Sequence, residues 1–138
     1  MIPFANPKAQ YLHHRDEIDS AIQRVLESGR YILGKEVKHF EEEFADYNEV
    51  AYAIGVGSGT EALHVALRAL NIGYGDEVIT TSHTAVATVS AIVLSGAKPL
   101  FLDIEPEFFT IDPNLIEEAI TPTTKASLIH REVGRTGP

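Results

Sequence analysis

From Ala51 onward the chain alternates short apolar runs with helical patterns, and that alternation leaves few architectures open. Tyr52 to Val56 precedes a helical pattern from Thr60 to Leu70, Glu77 to Thr81 precedes one from Thr84 to Leu94, and Pro99 to Ile104 begins a third unit. There Asp112-Pro113 opens a helix running to about Ile120, with Asp as the cap and Pro at the first helical position. Parallel strands need crossover connections, so the pattern predicts an α/β fold: a mainly parallel sheet with flanking helices. A further strand is expected at Ser127-Leu128-Ile129. It comes so close to Pro138 that the sheet reads as unfinished, with an unpaired edge. The expectation is a truncated chain, through a frameshift, a truncated gene or a partial sequence.

Residues 1–50 read differently, as an N-terminal helical segment ahead of a partial α/β domain over 51–138. Ile18, Ala21, Ile22, Val25 and Leu26 share one face of a helix from about Arg15 to Ser28, and Gly29 stops it. In a second helix Val37, Phe40, Phe44 and Tyr47 fall together, and Glu36, Glu41, Glu42, Glu43 and Asp46 form a solvated face.

Composition excludes several function classes. The 138 residues carry a formal charge of −9, from 20 acidic against 11 basic side chains, a field that repels nucleic acid and anionic membranes. With no cysteine there is neither a disulfide framework nor a thiolate metal site. No run reaches membrane-spanning length and no signal-peptide pattern opens the chain, so a cytoplasmic protein is expected.

The stretch richest in chemistry is Gly55-Val56-Gly57-Ser58-Gly59-Thr60, between an apolar run and a helix. Glycine lets a backbone approach an anion closely, and the first N–H groups of a helix offer donors and partial positive charge. Behind it Ala62, Leu63, Ala66, Leu67 and Leu70 form one apolar stripe that anchors the turn. A tight turn without a ligand is the plainer reading of such glycines. Ser58 and Thr60 at the helix start favour an anion site over it. Thr60 stands where a dinucleotide fingerprint needs its last glycine, and no Gly-Lys-Ser/Thr follows as in a P-loop, which leaves a small phosphate ester.

In parallel sheets ligands gather at the carboxyl ends of strands, which adds Ser82-His83-Thr84 and Asp103 as candidates. His83 is either a hydrogen-bonded loop residue or a ring that stacks on a flat ligand. Asp103 reads as a turn or cap aspartate, and Tyr31 as a packing residue, with a reach into a neighbouring subunit as the alternative. The pair His13-His14 reads as exposed sequence at a helix start, and His39, His64 and His130 have no partner at metal-ligand spacing, so no metal site is expected.

Several stretches occur in the order seen in one enzyme family: Gly29-Arg30-Tyr31-Ile32-Leu33-Gly34, Phe40-Glu41, Val56-Gly57-Ser58-Gly59-Thr60-Glu61-Ala62-Leu63, Gly75-Asp76-Glu77-Val78-Ile79 and Pro99-Leu100-Phe101-Leu102-Asp103-Ile104. Over nearly all of Ile2 to Ala126 the chain resembles the DegT/DnrJ/EryC1/StrS aminotransferases. Ser82 to Thr88 is similar to the branch that aminates dTDP-linked 3-keto-6-deoxyhexoses. The resemblance implies the N-terminal part of a fold-type I large domain, pyridoxal phosphate as cofactor, a nucleotide-diphosphate-linked keto-sugar as substrate, glutamate as a typical amino donor, and a homodimer. It puts the cofactor phosphate on Ser58, Gly59 and Thr60. The family's ring-stacking aromatic usually falls where this chain has Ala85, so His83 takes that role in its place. The family's Schiff-base lysine does not match the context of Lys8, Lys35, Lys38, Lys98 or Lys125, and Ser127 to Pro138 follows the family only loosely. The fragment is therefore expected not to transaminate alone. The alternative is a non-catalytic α/β module that binds a phosphate or nucleotide.

Overall fold

A computed structural model describes residues 4–130, which divide into two units between Gly55 and Val56. The first contains α1 (Pro7–His13), α2 (Arg15–Ser28) and α3 (Lys35–Tyr47). Helix α1, which apolar periodicity does not reveal, is started by Asn6, whose side chain accepts the Ala9 N–H at 3.2 Å, with Pro7 in the first turn. His13 thus ends a helix. Helix α2 ends as expected at Gly29, whose φ of 64° is the left-handed value that glycine tolerates at a helix end. Arg24 of α2 pairs with Glu36 of α3 at 3.0 Å. Ala45 is the one residue of this unit that is buried among those described. Ile22, Leu26, Phe40 and Phe44 remain about half exposed, although the two phenylalanine rings stack at 5.4 Å.

The strand expected at Tyr52 to Val56 does not form. A strand exists only as part of a hydrogen-bonded ladder, and the described residues supply this segment with no partner strand. Glu41 accepts the Gly55 N–H at 2.7 Å, taking a donor that a neighbouring strand would have used.

In the second unit α4 (Gly59–Ala69) leads to β1 (Glu77–Thr81), α5 (Val86–Ser95) and β2 (Lys98–Leu102). A 3₁₀ turn (Pro113–Leu115) runs into α6 (Ile116–Ala119), and β3 (Thr124–Ser127) follows. The helix expected from Asp112 therefore begins as a 3₁₀ turn, with the Asp112 carboxylate accepting the Asn114 N–H at 2.9 Å. Strand β3 starts at Thr124 rather than Ser127, and its pairing carries on as the Leu128 N–H donates to the Ile79 carbonyl at 2.8 Å. The three strands pair in parallel, in the order β2-β1-β3. Being central, β1 is buried on both faces from Val78 to Thr81. Helices α4 and α5 pack on each other, and Leu67, Ile72, Val78, Ala91, Ile92 and Ala97 form the core. Of the stripe expected on α4, Leu67 is buried and Leu63 half-buried, while Leu70 is exposed because it lies past the helix end.

Among the described residues no helix is long and apolar enough to cross a membrane. Of the loose fit to the family expected over Ser127 to Pro138, Arg131 to Pro138 lies outside the described residues.

Candidate functional site

Ser58, in extended backbone at φ −162° and ψ 163°, caps α4: its side-chain oxygen accepts the Glu61 N–H at 3.2 Å, and its carbonyl accepts the Ala62 N–H at 3.0 Å. The first N–H groups of a helix have no partner within it. Those of Gly59 and Thr60 meet no protein acceptor among the described residues, nor does the Thr60 hydroxyl. A Cβ built on Gly59 meets nothing within 4 Å, so an anion has open access to these donors. The Ser58 hydroxyl accepts within the cap and keeps its proton to donate outward.

A side chain that the sequence reading passed over completes the turn. Glu61 reaches back so that its Oε2 accepts the Gly57 N–H at 2.8 Å. A Cβ on Gly57 would lie 2.8 Å from that same oxygen, so a larger residue there would push the Glu61 carboxylate aside. The signal is Ser58-x-x-Glu61, the pattern of a capping box, here closing on the residue before the cap.

His83 follows β1 in the loop that enters α5. The buried Thr81 hydroxyl donates to the His83 carbonyl at 2.9 Å, fixing the backbone there, while the His83 side chain is exposed. Thr84 donates to the Thr88 hydroxyl at 3.1 Å and so is engaged within the helix start.

The geometry puts the turn and His83 at one end of the second unit. Arg68, in the last turn of α4, donates to the carbonyl of Ser95, the last residue of α5, at 3.4 Å. The two helices thus run parallel, and at 11 and 10 residues each is about 15 Å long. Their N-termini share the end to which β1 delivers the chain at Thr81. Lys98 and Lys125 lie by the amino end of β1, as the pairings Glu77 with Lys98 and Glu77 with Thr124 require. Lys98 is also bound to Glu77 at 2.9 Å. That bond, with others from Thr121 and Thr123, holds the Glu77 carboxyl down at about 2.

Two other candidates belong to local structure. Asp103 accepts the Ile104 N–H at 2.9 Å, as a turn aspartate does. Tyr31 is exposed and donates weakly to the Leu26 carbonyl at 3.4 Å. A cleft of about 300 Å³ is lined by Tyr31 together with Arg24, Arg30, Lys35, Glu36 and Val37, and there Arg24 is paired with Glu36.

Residues 13–136 match the DegT/DnrJ/EryC1/StrS aminotransferase family. The chain belongs to that family. Its similarity to a dTDP-3-amino-3,4,6-trideoxy-α-D-glucose transaminase of Streptomyces venezuelae is 51% identity, over 92% of the chain and 34% of that protein. A UDP-2-acetamido-2-deoxy-3-oxo-D-glucuronate aminotransferase of Pseudomonas aeruginosa is 48% identical over 91% of the chain and 35% of its own length. Among solved structures, S. venezuelae DesV in complex with a ketimine intermediate superposes with a TM-score of 0.92 at 48% identity, covering 99% of this chain and 37% of DesV. The Bacillus subtilis protein NtdA, with pyridoxamine phosphate bound, gives 0.84 at 37% identity, covering 91% and 29%. The chain thus spans about a third of the length of the curated relatives it matches. Family members depend on pyridoxal phosphate.

Proposed function

We propose that this chain supplies the phosphate-holding turn of a pyridoxal-phosphate-dependent aminotransferase that acts on a keto-sugar carried by a nucleotide diphosphate. The amino donor in this reading is an amino acid such as glutamate, and the working enzyme is a cytoplasmic homodimer. The observation that carries the reading is the pair of unpartnered N–H groups on Gly59 and Thr60, opened to solvent by a glycine with free space above it. A phosphate monoester fits that donor set, because its oxygens accept both N–H groups and the Thr60 and Ser58 hydroxyls while the helix end favours its charge.

When bound, pyridoxal phosphate supplies an electron sink for the carbon that gains or loses the amino group. The residues of this chain bind and orient. Gly59 and Thr60 fix the phosphate, and His83, held at its backbone by Thr81 at the same end of the unit, offers a flat imidazole to the ring. Both lysines of the second unit's described residues lie by the amino end of β1, away from the turn. This supports the expectation that the chain alone holds the cofactor without transferring an amino group.

The test is a titration of the ¹⁵N-labelled chain with pyridoxamine 5′-phosphate, which has no aldehyde to react with surface lysines. Saturable shifts of the Gly59 and Thr60 amides are expected, together with no amino transfer from glutamate when pyridoxal phosphate is added. If those amides do not respond, the reading is wrong. Equal affinity for adenosine monophosphate at the same amides would favour a nucleotide-binding module.

A further inference from the structure

At a helix N-terminus an acidic side chain and a bound anion compete for the same field. Here a carboxylate is built into the turn. Glu61 stands at the third position of α4, where the chain direction lets its side chain fold back over the first turn, and its Oε2 takes the Gly57 N–H at 2.8 Å. The arrangement is specific on both sides. Gly57 leaves room for the carboxylate where it now sits, and Ser58 holds the Glu61 backbone N–H at 3.2 Å, so main chain and side chain of Glu61 are tied to consecutive residues. Between the two ties lies the loop that sets where the Gly59 and Thr60 N–H groups point. Without Glu61, Gly57 would lose the one acceptor its N–H has and the backbone ahead of the cap would gain freedom.

We propose that Glu61 is a positioning residue for the phosphate turn: its carboxylate latches Gly57 and so holds the Gly59 and Thr60 donors convergent, while its own charge weakens the grip on the anion. This rests on the phosphate reading given above and deepens it. Two separable consequences follow. Glutamine keeps an acceptor for Gly57 and removes the charge, so Glu61→Gln should tighten phosphate binding. Alanine removes both, so Glu61→Ala should lose against Glu61→Gln whatever it gains from the missing charge.

The experiment uses the 138-residue chain with pyridoxamine 5′-phosphate and, separately, inorganic phosphate as probes, read at the Gly59 and Thr60 amides. Relative to the unmodified chain, Glu61→Gln should bind about two- to fivefold more tightly, the range for one charge near a helix N-terminus. Glu61→Ala should bind at least about twofold more weakly than Glu61→Gln. Without ligand, hydrogen exchange at Gly57 should stay slow in Glu61→Gln and speed up in Glu61→Ala. A purely structural cap would leave the glutamate and glutamine forms equal in affinity, and that equality would overturn the proposal. So would an alanine form that binds as tightly as the glutamine form, or one in which Gly57 exchange is unchanged. If the unmodified chain binds neither probe, the phosphate reading falls and the positioning role falls with it. If it binds and the variants do not separate, only the role of Glu61 falls.

Discussion

Truncating Leu67 to alanine tests whether the turn is rigid because α4 is anchored. Leu67 is the buried residue of α4, 4% exposed, and it packs among Ile72, Val78, Ala91, Ile92 and Ala97. Removing three carbon atoms forfeits about 2.4 kcal/mol of transfer free energy at about 0.8 per carbon. The neighbours come from β1, α5 and the loops that flank them and cannot all close in, so a residual cavity raises the cost to about 3–4 kcal/mol. That is a large share of the roughly 5–15 kcal/mol that holds a domain together. In urea, with m of about 2 kcal/mol/M, the midpoint followed by far-ultraviolet circular dichroism should fall by about 1.5–2 M. Leu70→Ala is the control: that side chain is 68% exposed, and its loss should cost within about 0.5 kcal/mol. Pyridoxamine 5′-phosphate affinity should fall in Leu67→Ala and hold in Leu70→Ala. If Leu67→Ala costs less than about 1 kcal/mol, or no more than Leu70→Ala, α4 is not anchored by this cluster and the preorganisation argument fails.

Three further perturbations separate fold from site. Gly59→Ala meets no atom within 4 Å, so the melting temperature should hold or rise slightly, while the added methyl blocks the anion and lowers pyridoxamine 5′-phosphate affinity about tenfold or more, as loss of a charge-assisted hydrogen bond would. His83→Ala should leave the urea midpoint unchanged, because the side chain is exposed, and weaken cofactor binding by about two- to tenfold, the worth of one stacking face; unaltered affinity removes His83 from the site. For Glu77 the sign follows from its carboxyl being lowered from 4.5 to about 2 in the folded chain, chiefly by Lys98. Its stabilisation is complete above 4.5 and is lost as pH falls towards 2. Glu77→Gln should therefore lower the urea midpoint at pH 7 and flatten its decline between pH 4.5 and 2, whereas parallel pH profiles for the two forms would refute the linkage.

The sequence showed most of the second unit because its signals are local. Glu77 to Thr81 is a strand by composition alone, and Gly29 and Asp112 mark a helix end and a helix start through their own backbone chemistry. Tyr52 to Val56 has the same apolar character as β1, yet it is not a strand, because pairing depends on a neighbour and not on the segment itself. Helix α1 was illegible to periodicity for the opposite reason. It buries no residue, so there is no stripe to read, and only Asn6 with Pro7 betrays it. Glycine spacing and hydroxyls marked Ser58, Gly59 and Thr60 as candidates, but not which of their groups are already in use within the turn. The structure shows the Glu61 carboxylate taking the Gly57 N–H and the Ser58 hydroxyl taking the Glu61 N–H.

The parallel course of α4 and α5 is what the proposed site requires if the turn and His83 are to act on one ligand. Two antiparallel helices would send the Gly59 donors and the His83 loop to opposite ends, about 15 Å apart. The bond from Arg68 to Ser95 fixes the C-terminal ends side by side, and Gly73 and Gly96 make that closeness sterically possible. A Cβ on Gly73 would lie 3.1 Å from the Ser95 carbonyl, and Gly96, at φ 90°, would bring one to 3.3 Å from the Tyr74 nitrogen. Residues at the far end of the unit therefore bear on the proposed phosphate donors and the proposed stacking ring, although none of them belongs to that proposed site. Gly96→Ala puts this dependence to the test, because it strains a left-handed backbone as well as crowding Tyr74. It should weaken pyridoxamine 5′-phosphate binding along with stability, whereas Gly59→Ala weakens binding alone. A Gly96→Ala chain that is destabilised yet binds as tightly as the unmodified chain would show that the helix ends do not govern the site.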